Sequence, residues 1–151
     1  MPIDSLPVPL FEQESDGACL PACARMVLAY LGLAFAEAHL AQVLGMQAAG
    51  TPAYHIQRLE SLGVSVAFGQ ISEARLRAYL AEQIPVIAFV QAGELSYWKH
   101  DSFHAVVVTG LADDVVVIND PAFREPQTVS LDELMLAWSE FDYTYAIMVR
   151  A

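Results

Sequence analysis

At 151 residues the chain has the length of one ordinary domain, which buries roughly two thirds of its unfolded surface, and its 56% hydrophobic against 17% charged residues suit a filled core and not a disordered segment. Seven Lys and Arg against 18 Asp and Glu give a formal charge of -11, which argues against nucleic-acid phosphates and anionic membranes as partners. The longest apolar runs, IPVIAFV from Ile84 and FHAVVVTGLA from Phe103, fall short of the roughly 20 residues that cross a bilayer, and MPIDSLPVPL lacks the basic and apolar regions of a secretion signal, so a cytoplasmic location is expected.

Residues 1–12 carry prolines and read as an extended arm leading to Gln13. In the stretch Gln13 to Gly32, Cys19, Ala22, Cys23, Met26, Val27 and Tyr30 fall on one helical stripe. Asp16 is expected to cap this helix, Gly17 to let the chain bend into it and Gly32 to end it. Cys19 then sits in the first turn, where free N–H groups and the macrodipole favour an anion. Cys23 and Met26 read as core, and two cysteines four apart on one helix lie poorly for a disulfide, so both are expected to be thiols.

AEAHLAQVLG from Ala36 reads as a second helix closed by Gly45, and a third is expected from Thr51, with Pro52 in its first turn, to Gly63. Val64 to Phe68 alternates as a short strand, Ser72 caps a fourth helix EARLRAYLAEQ, and Pro85 opens the buried strand VIAFV. Gln91 to Ser102 is the longest irregular stretch and carries Tyr97, Trp98, Lys99 and His100; loops of that length are more often functional or mobile than inert. FHAVVVTGLADDVVVIND reads as a hairpin turning at Asp113 and Asp114. Ser130 and Glu133 form a capping box for LDELMLAWS, and YTYAIMVR is the last strand. Helices dominate residues 13–83 and strands residues 84–151, so an α+β fold is expected: one domain over 1–151, its two lobes meeting at a groove.

A nucleophilic cysteine needs a base, a group to orient that base, and donors for the oxyanion. His104 begins the first hairpin strand and Asp120 ends the second, nine residues before and six after the Asp113–Asp114 turn, so a bulge would bring the two together. His100 is the one competitor for the base. A zinc site from Cys19, Cys23 and two of His39, His55, His100 and His104 lacks the short paired spacing of structural zinc centres.

Gln13 six residues before Cys19, the run CLPACARMVLAYLG, then HAVVVTG, VVVINDPA and VSLDELMLAW resemble the double-glycine leader peptidase domains of bacteriocin-exporting ABC transporters and their stand-alone relatives, over nearly the whole chain. The resemblance implies a papain-like cysteine peptidase that cuts after Gly-Gly, with Cys19 as nucleophile, His104 as general base and acid, Asp120 orienting His104, and Gln13 as oxyanion donor. It implies no metal or organic cofactor, a peptide or protein substrate, and association with an ABC exporter without membrane insertion. The family usually has Gly directly after the cysteine, where this chain has Leu20 and Pro21. Leu20, Tyr97 and Trp98 are the residues expected to narrow the substrate groove. Two other outcomes share the fold: a non-catalytic domain that binds a peptide without cutting it, and an acyl or amide transferase on the same triad.

Overall fold

The computed structural model describes residues 4–151, so the first three residues of the expected extended arm lie outside the described residues. Helices α1 (Cys19–Tyr30) and α2 (Glu37–Leu44) and a 3-10 helix (Ala53–Leu62) precede β1 (Val64–Gln70), α3 (Glu73–Ala81) and β2 (Val86–Gln91). Then follow β3 (Phe103–Ala112), β4 (Val115–Asn119), β5 (Gln127–Ser130), α4 (Leu131–Ser139) and β6 (Thr144–Arg150). The strands form one antiparallel sheet in the order β1-β6-β2-β3-β4-β5.

Both faces of this sheet are covered. Ile87, Phe89, Ala105, Val107, Ala146 and Met148 pack with Cys23, Met26 and Val27 of α1, Leu40 of α2 and Ile56 and Leu59 of the 3-10 helix. The alternate residues Val86, Ala88, Val106, Val108, Tyr145 and Ile147 pack with Leu76 of α3 and Leu134, Ala137 and Trp138 of α4. Each strand alternates its side chains with period two, so a strand buried on both faces reads as a continuous apolar run. That accounts for VIAFV and HAVVV.

Four local outcomes differ from the sequence reading. The third helix is 3-10 in geometry, because Ala53, Ile56, Leu59 and Leu62 repeat at every third residue and all meet the same core; a 3-10 helix stacks positions i and i+3. Pro52 stands before it with extended backbone, outside the first turn. Helix α3 belongs to the first half of the chain yet crosses to the face that α4 covers, burying Leu76 and Tyr79 there. Strand β5 has one buried residue, Val129, too little alternation to be read from sequence. The capping residues fare better: Ser72 Oγ accepts from Arg75 N at 3.2 Å, Ser130 Oγ accepts from Glu133 N at 3.1 Å, and Gly45 is left-handed.

The arm reaches the site along the sheet's β3–β4 side. Leu6 N donates to Thr109 O at 2.8 Å, Asn119 Nδ2 to Val8 O at 3.0 Å and Gln13 N to Pro121 O at 2.7 Å. Gly110 is required where the arm crosses, since a Cβ there would stand 2.6 Å from Asp4 O.

Candidate active site

Helix α1 starts without a side-chain cap: its N-cap is Ala18, and Asp16 is exposed and plays no part. The reason is geometric, since Ala18 N already donates to Ser15 O at 3.2 Å and the bend at Gly17 turns the chain after Asp16. Gly17 has φ +78°, and a Cβ on it would meet Ala48 O at 3.1 Å, so the Gln47–Gly50 turn packs directly on the helix start. Cys19, the first helical residue, is half-buried and faces a cleft of about 410 Å3 whose walls include Gln13, Trp98, Phe103 and His104. A neighbouring depression of about 320 Å3 continues past Cys19 to Thr51.

The hairpin supplies the ring and the carboxylate. A bulge between Val108 and Gly110 shifts its register, so Val107 pairs with Asn119. Continuing that register puts Asp120 opposite Val106 and diagonal to His104, within the reach of cross-strand neighbours. His104 Nε2 and Asp120 Oδ1 lie 2.6 Å apart, their side chains 5% and 0% exposed. Asp120 also accepts from Tyr97 Oη at 2.8 Å and Trp98 Nε1 at 2.8 Å, both on Oδ2, and from Ala122 N at 2.9 Å on Oδ1.

Burial alone would raise the Asp120 carboxyl, but the His104 hydrogen bond and charge, the Ala122 N–H and the Trp98 indole outweigh it and hold the group below the usual carboxylate range. Burial alone would lower His104; the hydrogen bond to Asp120, the nearby Cys19 and the charges of both lift it to about 9. With Nε2 committed to Asp120, Nδ1 is the nitrogen left for the Cys19 sulfur. The Trp98 ring packs edge-on to His104 with centroids 4.8 Å apart.

One turn below Cys19, burial and the nearby Cys19 push the Cys23 thiol well up, and its Sγ donates to Ala105 O at 3.3 Å. Both cysteines are free thiols.

The expected groove residues are placed differently. Leu20 is 2% exposed and lies in the α1 core, because the helix start turns Cys19 and not its neighbour toward the cleft. Tyr97 and Trp98 point their polar atoms inward to Asp120, since a buried phenol or indole must find an acceptor; Trp98 still borders the cleft, Tyr97 does not. The loop carrying them is tied down, with Asp101 Oδ1 accepting from Gln91 Nε2 and Gly93 N, and Glu133 Oε2 accepting from Ser96 N and Oγ. Glu133 therefore does not reach back to complete its capping box.

Gln13 lines the cleft, its Nε2 donating to Ser15 O at 3.0 Å and its Oε1 buried without a partner among the described residues. His100 is exposed, and His55 Nδ1 bonds Leu44 O at 2.8 Å, so neither joins the pair. Among the described residues no three His, Cys, Asp or Glu side chains converge as a metal site would need, and no helix is long and apolar enough to cross a membrane.

Sequence reasoning missed Phe103 and Thr51, which line the cleft and its neighbouring depression, and Glu37, whose carboxylate meets the amide next to Gln13. Glu37 was signalled only as an acidic residue in the first turn of a helix, a position that usually means a solvated face.

A model of the Peptidase C39-like family matches residues 5–150. Among solved structures, the fold superimposes on a candidate C39-like peptidase from Bacillus anthracis with TM-score 0.79 at 17% identity, covering 99% of this chain and 98% of that one. It is similar also to the peptidase domain of Streptococcus ComA, a bifunctional ABC transporter of a quorum-sensing pathway (TM-score 0.77, 20% identity, 95% and 99% covered). A third similar structure is a double-glycine-motif protease from an AMS/PCAT transporter in complex with its leader peptide (TM-score 0.76, 18% identity, 97% and 94% covered). No curated protein matches the sequence. The papain-like α+β fold expected from the sequence is the one observed.

Proposed function

The chain belongs to the Peptidase C39-like family, and from that premise we propose that it is a cysteine peptidase that cleaves after Gly-Gly in a leader peptide, acting over residues 1–151 as one peptidase domain. The observation that carries the reading is the buried His104–Asp120 contact of 2.6 Å, on the same cleft as Cys19 at a helix start.

In this reading the Cys19 proton resides on His104, which stays cationic up to about pH 9, and the helix N-terminus stabilises the sulfur anion. The thiolate attacks the scissile carbonyl carbon, forming a C–S bond and an oxyanion. The second N–H of the Gln13 amide and the Cys19 backbone N–H receive that oxyanion, each donor contributing about 2.7 to 4 kcal/mol in comparable sites. His104 passes its proton to the departing amine as the C–N bond breaks, leaving a thioester. Water then gives a proton to His104 and its oxygen to the acyl carbon, the C–S bond breaks, and the acid leaves. Every proton is carried by this chain's own residues.

A leader-peptide substrate, a place beside an ABC exporter and a cytoplasmic location are part of the same proposal; the first two are supported by similar structures that are peptidase parts of ABC transporters, one of them bound to a leader peptide. The test is hydrolysis of a peptide containing one Gly-Gly, with mass spectrometry of the fragments. Cleavage after the second Gly that is lost in Cys19→Ala supports the reading. Hydrolysis that survives Cys19→Ala, or uptake of an added amine in preference to water, overturns it.

A further inference from the structure

Glu37 is a buried carboxylate that the reaction does not use. It is 3% exposed, and its neighbours on α2 at the second and third positions, Ala38 and His39, are not fully buried, so the helix turns an acidic side chain inward. Burying a carboxylate costs several kcal/mol unless its oxygens are met by donors. Here one oxygen is: Glu14 N donates to Glu37 Oε2 at 2.8 Å. The other, Oε1, has no partner among the described residues. Arg25 does not pair with it among the described residues: its guanidinium stands 3.7 Å from Glu14 Oε2 and over the Phe11 ring at 3.9 Å. Burial holds the Glu37 carboxyl above the usual carboxylate range, the Glu14 N–H offsetting it only in part.

The bond falls next to the proposed oxyanion donor. Gln13 N donates to Pro121 O at 2.7 Å, one residue beyond Asp120, and the following amide donates to Glu37. Two consecutive backbone amides are therefore fixed to two different places, the turn that follows β4 and the start of α2. Gln13 is held between them with its side chain in the cleft. A backbone pinned on one side only would be free to rotate, and the Gln13 amide with it.

We infer that Glu37 is a positioning residue: its carboxylate clamps the Glu14 amide, and through it sets where the Gln13 side chain stands relative to Cys19. This deepens the peptidase reading and rests on it. Glu37 touches neither sulfur nor substrate, so its removal should leave the thiol–imidazole pair as it is and weaken only the stabilisation of the oxyanion. A donor displaced by an ångström loses up to roughly a hundredfold in rate.

The experiment compares wild type, Glu37→Ala, Glu37→Gln, Gln13→Ala and the Gln13→Ala/Glu37→Ala double variant, in steady-state hydrolysis of the Gly-Gly peptide and in alkylation of Cys19 by iodoacetamide. Glu37→Ala should lower kcat by about tenfold or more with KM and the alkylation rate within twofold. Glu37→Gln, which keeps an acceptor oxygen, should restore most of the loss. In the Gln13→Ala background the further loss on Glu37→Ala should vanish. Amide hydrogen exchange at Glu14 should accelerate in Glu37→Ala and recover in Glu37→Gln, a readout that needs no turnover. Unchanged kcat in Glu37→Ala, equal losses with and without Gln13, or a loss matched by slower alkylation would each overturn the clamp. A wild type that cleaves nothing would instead sink the peptidase reading itself.

Discussion

The two walls of the cleft are built on opposite principles. On the His104 wall every polar group is satisfied: Asp120 is fully buried and takes hydrogen bonds from His104, Tyr97, Trp98 and the Ala122 amide. Around Cys19, by contrast, Gln13 Oε1 on the cleft and Thr51 Oγ1 on the neighbouring depression are buried without partners among the described residues, as is Glu37 Oε1 behind Gln13. A satisfied network in a low-dielectric site is rigid, whereas unmet polar atoms carry a cost that a ligand can relieve. In the proposed peptidase, the half that handles protons would be complete in the free protein, while Gln13 and Thr51 would be completed by the substrate.

The sharpest way to break this comparison is to remove the groups that react. Cys19→Ala and His104→Ala should each abolish cleavage of the Gly-Gly peptide in a discontinuous fragment assay, while His100→Ala should leave it intact. Gln13→Ala should cost about a hundredfold to a thousandfold in kcat with little change in KM, because an oxyanion donor acts in the transition state.

Asp120→Asn tests the satisfied wall through pH. Asp120 and, after it, Cys19 raise His104 from its ordinary 6.5 to about 9 against its burial, so the stabilising interaction is fully present below pH 6.5 and fades as the pH rises through 9. Asp120 is lowered, so its share is present above the ordinary carboxylate value and fades as acid reaches its depressed one. The alkaline limb of kcat/KM should lie near 9 in the wild type and move to lower pH in Asp120→Asn, where burial acts on His104 with less opposition. A limb that stays in place would deny Asp120 its role. Tyr97→Phe removes one donor from the same carboxylate and should cost about 1 kcal/mol in urea unfolding. The smallest effect is expected from Thr51→Val, which deletes an unpartnered hydroxyl: folding stability unchanged or slightly improved, KM raised a few-fold if the substrate supplies the missing partner.

The two walls also differed in how much of them could be read from the sequence. The hairpin, the thiol at a helix start and the His104–Asp120 pairing follow from β-branched runs, the Asp113–Asp114 turn and helical spacing, all local signals. The caps at Ser72 and Ser130 were legible for the same reason. What was not legible depends on contacts between distant segments. Leu20 was assigned to the groove because it adjoins Cys19, but adjacent helical residues point about 100° apart, and only packing decides which one the core takes. Tyr97 and Trp98 were placed in the groove as loop aromatics; their partner Asp120 is more than twenty residues away. Glu37 is not legible from the sequence because nothing in its own helix reveals the Glu14 amide that it meets.

The most direct test of the central claim is the rate of Cys19 alkylation by iodoacetamide at about pH 6, wild type against His104→Ala. At that pH an ordinary thiol is almost wholly protonated, with a reference value of about 8.5. If His104 holds the cysteine proton, the wild type should react about tenfold or more faster than the variant. Equal rates would mean that the sulfur and the ring, though neighbours in one cleft, do not act as a pair.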